Sequence, residues 1–193
     1  IVPSIEVHQV FHYFTFLASF PISNLTMASF GLGNPNAAAA PTGPVDVATI
    51  FSAASEGNLA LLQSSMAQLN YAAMTPDENG YTLLHAASSY SQLGVMKFLL
   101  ENLDRNYPGC TAFVNAGDND GDTAFHYAGS ADAARLLVED GRIDTKKVNS
   151  QGKTALQAKQ EELNEMMQDE DIEDDDEDVE IAQKLIAYLS SLP

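Results

Sequence analysis

The sequence predicts an all-α solenoid of stacked antiparallel helix pairs joined by short hairpin loops. Three observations carry that expectation. A short motif returns three times at intervals near 30 to 40 residues. Each return opens on turn chemistry and runs into an apolar stretch at helical spacing. The formal net charge of −18 is concentrated in one segment, so the rest of the chain has the composition of an ordinary folded domain.

The repeated segments are Asp77-Glu-Asn-Gly80-Tyr-Thr82-Leu-Leu84-His85-Ala-Ala87, Asp118-Asn-Asp-Gly121-Asp-Thr123-Ala-Phe125-His126-Tyr-Ala128 and Asn149-Ser-Gln-Gly152-Lys-Thr154-Ala-Leu156-Gln157-Ala158. Asp or Asn followed three residues later by glycine is a turn, because the first bonds its own backbone and the second accepts φ > 0. Thr82 and Thr123 then stand where an N-cap offers its hydroxyl to a following helix, and Thr154 is the threonine of the third copy. Leu84 and Phe125 face the core, Ala87 and Ala128 let helices approach closely, and Leu156 is the apolar member of the third copy. Outer helices are legible at Leu93–Leu100 and Ala133–Val138. Ile50–Leu62 reads as an inner helix, a turn at Gly57 and an outer helix without the motif, as a terminal unit would. Thr154–Met167 and Val179–Leu189 read as the last pair.

The spacing is 41 residues from Gly80 to Gly121 and 31 from Gly121 to Gly152, bracketing the roughly 33-residue period of ankyrin repeats. The motif resembles their T-P-L-H-x-A core, and Leu93-Gly-Val-Met-Lys-Phe-Leu-Leu100 resembles their outer helix. The resemblance covers Asp46 to Leu192 as four helix pairs. It departs from the family pattern in places. Leu83, Ala124 and Ala155 stand where proline is favoured, the loop from Asn102 to Asn115 is several residues longer than the pattern, and Gly129-Ser130 shortens the third unit. The resemblance implies that His85 and His126 are structural, each pairing with the threonine three residues before it and bonding the next repeat's backbone.

The chain divides into residues 1–45, a non-native or disordered leader with a flexible arm, and 46–193, the repeat domain with an acidic disordered insertion at 168–178. Val10–Phe20 is apolar, but no Lys or Arg precedes Lys97, so a secretory signal is not predicted. That run is also too short to span a bilayer. Met27 is the expected native start, followed by the Gly/Ala/Pro-rich arm Gly31–Pro44, and the sequon at Asn24 falls in the leader.

Residues 161–180 carry thirteen acidic side chains and no basic one, which leaves −5 for everything else. Such a balance argues against nucleic acid and anionic membranes as partners, since both need a basic surface. The run at 168–178 reads as a solvated loop, as a dock for a basic protein, or as a weak cation binder. Cys110 is the lone cysteine, so no intramolecular disulfide forms, which suits a cytoplasmic or nuclear protein. Its neighbours Gly109 and Thr111 form no nucleophile motif. Asp118–Asp122 hints at a calcium loop, but an EF-hand register would put Ala116 and Tyr127 where acids are required. Catalytic, cofactor and metal residues are therefore expected to be none.

In ankyrin proteins the hairpin tips and the exposed side of the inner helices bind partners. Carried over by position, the tips are Glu78, Asn79 and Tyr81, then Asn119, Asp120 and Asp122, then Ser150, Gln151 and Lys153. Ser89, Tyr90 and Tyr127 are the exposed inner-helix residues. The resemblance also marks Asn115, after Val114, as a substrate for an asparaginyl hydroxylase. The expected function is a monomeric protein-binding adaptor or scaffold with another protein, a basic one in one reading, as its partner. A regulatory or structural subunit of a larger assembly is the second reading, and an enzyme the third and least supported.

Overall fold

The computed structural model describes residues 45–73, 75–106, 111–168 and 177–193, all within one unit of the chain at 38–193. The leader, Cys110 and the centre of the acidic run therefore lie outside the described residues. Among the described residues eight α-helices follow in order: α1 Val47–Ser55, α2 Leu59–Leu69, α3 Leu83–Ser89, α4 Leu93–Asn106, α5 Thr111–Val114, α6 Ala131–Asp140, α7 Ala155–Met166 and α8 Glu177–Ser190. Among the described residues the β-pairing consists of isolated bridges, Gly117 with Thr123 and Val148 with Thr154, each closing a hairpin.

Helix starts follow from capping chemistry. The Asp46 carboxylate accepts from the Thr49 amide and hydroxyl, both at 2.8 Å, and those bonds hold its pKa below the ordinary value. Asn58 caps α2 by accepting from the Leu61 amide, and Ser130 caps α6 by accepting from the Ala133 amide. A cap of this kind contributes about 1 kcal/mol. Gly141, at φ +78°, ends α6 in the left-handed region that only glycine enters at little cost.

The core is a column of small residues flanked by large aliphatics. Ala53, Ala54, Ala86, Ala87, Ala128, Ala133 and Ala134 are all fully buried or nearly so, which lets successive helices pack at close range. Ile50, Leu62, Leu83, Met96, Leu99 and Leu137 fill the space beside them. Leu84 and Phe125 point into this core, as the pattern predicts, whereas Leu156 is half-buried in the last unit. Leu83, Ala124 and Ala155, the residues at the usual proline position, are all buried.

Two expectations are corrected. The third unit does not contain a regular inner helix: residues 124–127 make one turn, with the Tyr127 amide donating to the Thr123 carbonyl at 3.1 Å. The reason lies next door. The Gly129 amide donates to the Ser88 carbonyl at 3.0 Å, and a Cβ on Gly129 would sit 2.1 Å from the Ser89 carbonyl oxygen. The chain is thus caught against the end of α3 and passes directly to the Ser130 cap. Second, the stretch from Asn102 to Asn115 is not simply a loop. α4 continues through Asn106, and Thr111–Val114 is helical, with 107–110 outside the described residues.

Candidate partner-binding face

Three hairpins repeat one hydrogen-bond plan. Asp77 Oδ1 accepts from the amides of Asn79 and Tyr81, Asp118 Oδ1 from those of Asp120 and Asp122, and Asn149 Oδ1 from those of Gln151 and Lys153. The glycines at the fourth position hold φ between +75° and +78°. Two of them also meet the next hairpin: a Cβ on Gly80 would lie 3.0 Å from Asp118 Cα, and one on Gly121 would lie 2.9 Å from the Ser150 nitrogen. Neighbouring tips are bonded through the backbone, the Asn119 amide to the Asn79 carbonyl and the Ser150 amide to the Asp120 carbonyl, each at 2.8 Å. The tips therefore form a column of fixed register.

Beneath the tips the histidines join the repeats. His85 Nδ1 accepts from the Thr82 amide at 3.1 Å, and its Nε2 lies 3.0 Å from the Asp122 carbonyl oxygen. A carbonyl can only accept, so Nε2 carries the proton and the ring is neutral. Burial accordingly pushes the His85 pKa below the ordinary histidine value. His126 repeats the arrangement with the Thr123 amide at 3.2 Å and the Lys153 carbonyl at 3.1 Å. Gln157 keeps the first half, its Oε1 accepting from the Thr154 amide at 2.9 Å. The structural role implied by the motif is the geometry found.

The predicted binding residues separate into presented and engaged sets. Glu78, Asn79, Asn119, Asp120, Ser150, Gln151 and Tyr90 are exposed, Tyr90 at 51 %. Asp122 is half-buried and accepts from Asn149 Nδ2 at 2.8 Å, while Lys153 pairs with Glu161. Ser89 is half-buried at the end of α3. Tyr127, expected on an exposed helix face, is half-buried in a turn, and its hydroxyl donates to Asp118 Oδ2 at 2.8 Å.

Tyr127 belongs to an aromatic strip that the sequence reading did not assemble. Its ring meets Tyr81 edge-on at 5.2 Å and His85 at 5.5 Å. Tyr81 stacks on Phe51 of α1 at 6.3 Å, and Phe51 meets Tyr71 at 6.4 Å. The strip crosses three repeats directly below the hairpins. Tyr81 precedes its threonine and Tyr127 follows its histidine, so the two occupy different repeat positions and their pairing emerges only on stacking.

Asn115 is 9 % exposed and locked in place. Its Nδ2 donates to the carbonyls of Thr111 and Arg142, and its Oδ1 accepts from the Asp144 amide at 2.7 Å. Lys147 Nζ donates to its carbonyl at 2.5 Å. That is the environment of a structural amide, bridging α5 to the segment after α6. Among the described residues no cluster of His, Cys, Asp and Glu could hold a metal ion, and no helix is long and apolar enough to cross a membrane.

Comparison with known proteins agrees with this geometry. Residues 79–110 match the family model described as the ankyrin repeat. An ankyrin repeat-containing protein of Schizosaccharomyces pombe is 33% identical over 81 residues, which is 42% of this chain and 35% of that protein. The chain thus spans about a third of the length of that curated relative. A chain in the crystal structure of the yeast ribosomal protein Rps3 in complex with its chaperone Yar1 is 27% identical, with a TM-score of 0.54. That match covers 69% of this chain and all of the other.

Proposed function

We propose that this chain, whose residues 79–110 match the ankyrin repeat, is a protein-binding adaptor whose partner is basic and docks on the hairpin column. Ankyrin repeats are a protein-interaction module, and the likeness to a chain from a protein–chaperone complex supports a protein partner here. The observation that carries the basic partner is the charge of the tips. The three hairpin segments 77–81, 118–122 and 149–153 hold Asp77, Glu78, Asp118, Asp120 and Asp122 against the single cation Lys153, itself paired with Glu161. The acidic run at 168–178 adds charge of the same sign, steering a basic protein from a distance.

A chaperone-like holder of a ribosomal protein is the form of this function that the likeness supports. Ribosomal proteins are basic because they neutralise RNA phosphates, and an acidic surface masks the same side chains. A monomer working in the cytoplasm or nucleus, without a catalytic or cofactor role, completes the proposal.

Titration calorimetry with the purified yeast ribosomal protein Rps3 tests it. A one-to-one complex that weakens steeply with salt is the expected result. Absence of binding at low salt would overturn the ribosomal client, and equal binding to a neutral protein of similar size would overturn the basic partner.

A further inference from the structure

We propose that the third hairpin, at the far end of the column, seats an Asp-x-x-Gly turn presented by a partner protein; the inference goes beyond the basic-partner reading and does not depend on it. The two internal junctions show what such a seat receives. The second residue of each incoming hairpin donates its amide to the carbonyl of the third residue before it, Asn119 to Asn79 and Ser150 to Asp120. The carbonyl of the incoming fifth residue meets a ring nitrogen of the preceding repeat, Asp122 with His85 and Lys153 with His126. The incoming backbone also lies against the glycine below it, within 3.0 Å of a Cβ on Gly80 and 2.9 Å of one on Gly121.

The third hairpin keeps every part of that seat. Gly152 holds φ +75°, and among the described residues nothing lies within 4 Å of a Cβ added to it. The Gln151 carbonyl stands at the position of the Asn79 and Asp120 carbonyls, on an exposed residue. Gln157 Oε1 accepts from the Thr154 amide, which leaves its Nε2 as the donor that the histidines supply in the earlier repeats. Charge then selects the occupant. Between the second and third hairpins, Asn149 Nδ2 in the first place donates to Asp122 Oδ1 in the fifth. Here the fifth place is Lys153, a donor that also pairs with Glu161, so the first place of a matching turn must offer an acceptor. Aspartate does so: Asp118 Oδ1 serves two amides of its own turn while Oδ2 takes an outside donor. Asparagine would turn its NH2 toward the ammonium. The occupant is therefore an aspartate-led turn with glycine in the fourth place, held by directed backbone bonds and one charge pair.

The test is a nuclear magnetic resonance titration of the full chain, labelled with nitrogen-15, with disulfide-closed peptides carrying the turn Asp-Asn-Asp-Gly. Saturating shifts are expected at the Gly152 and Lys153 amides and at the Gln157 side-chain NH2. A probe with Asn in the first place should bind about threefold more weakly, the scale of an exposed charge pair. A probe N-methylated at its second residue, which cannot donate to the Gln151 carbonyl, should give no saturating shift. Lys153→Met should equalise the Asp and Asn probes, and Lys153→Arg should keep the Asp preference. Absence of saturating shifts at these signals with the Asp probe overturns the seat, as does an undiminished response to the N-methylated one. An Asp preference that survives Lys153→Met overturns the charge selection. Shifts of the same signals that grow with protein concentration in the absence of any probe would put a second copy of the chain there and overturn the partner turn.

Discussion

His85 Nε2 donates to the Asp122 carbonyl oxygen at 3.0 Å, a bond that spans 37 positions of sequence and joins the second repeat to the third. It requires the hydrogen on Nε2, and in the neutral ring that leaves Nδ1 to accept from the Thr82 amide. Protonation puts a hydrogen on Nδ1 and sets two donors against each other at Thr82, while the Asp122 bond is kept.

Stability should therefore depend on pH through this residue. Burial lowers the folded pKa below the ordinary 6.5, so between the two values the unfolded chain binds more protons. The His85 contribution is full above about pH 6.5, is lost as pH falls through the lower folded value, and is level below it. Urea midpoints measured from pH 7.5 downward should show this decline, and His85→Gln should remove that part of the slope. At neutral pH the same variant should cost about 1–2 kcal/mol, since glutamine keeps the Thr82 contact, as Gln157 does with Thr154, and loses the Asp122 bond.

Glycines of the two kinds present should respond in opposite directions. Gly129→Ala places a methyl 2.1 Å from a backbone oxygen that cannot move alone, and the expected loss is about 3 kcal/mol or more. Gly94, within α4, has no atom within 4 Å of the added carbon, so Gly94→Ala should stabilise by about 0.5–1 kcal/mol through helix propensity. Thermal unfolding of the pair checks both, and a milder effect at Gly129 than at Gly94 would show that the close approach to α3 is misread.

Ser91 occupies the turn between α3 and α4 at φ +53°, where the first repeat has Gly57 at +74°. A side chain there is held in the left-handed region at a cost of about 1 kcal/mol. Ser91→Gly should raise the unfolding midpoint, a result readable by denaturant titration, and a fall would mean that the Ser91 hydroxyl carries more than its backbone costs.

Tyr127→Phe removes the hydroxyl's bond to Asp118 and should lower stability by about 0.5–1.5 kcal/mol. Tyr90, 51 % exposed at the C-terminal end of α3, should tolerate Tyr90→Ala with little change in melting temperature. Comparable losses at the two positions would contradict the division between engaged and presented tyrosines.

Most of the architecture was legible because it is written in short-range chemistry. The Asp–Gly turns, the Thr caps and the apolar spacing of α4 and α6 each depend on residues within about one turn of one another, and each appears where the sequence predicts it. The shortened third inner unit was visible only as a missing length, since its cause is the Ser88 and Ser89 carbonyls some 40 residues earlier. The long loop concealed helical turns for a related reason: the lock on Asn115 comes from Arg142 and Asp144, far along the chain. Exposure of the hairpin tips could be inferred by position, but the contact of Phe51 with Tyr81 and of Tyr81 with Tyr127 depends on how unlike positions meet across repeats.

The reduction of the third inner helix to one turn has a mechanical consequence. Helix faces greased by aliphatic side chains can slide by fractions of an ångström and keep most of their attraction. At this junction the load passes instead through directional bonds: His85 to Asp122, Ser88 Oγ to the Ala124 carbonyl at 2.6 Å, and the Gly129 amide to the Ser88 carbonyl. Such bonds weaken steeply with small changes of angle and length. Under tension the junction between the second and third repeats behaves as a row of rivets, stiff until the first one fails and then yielding together.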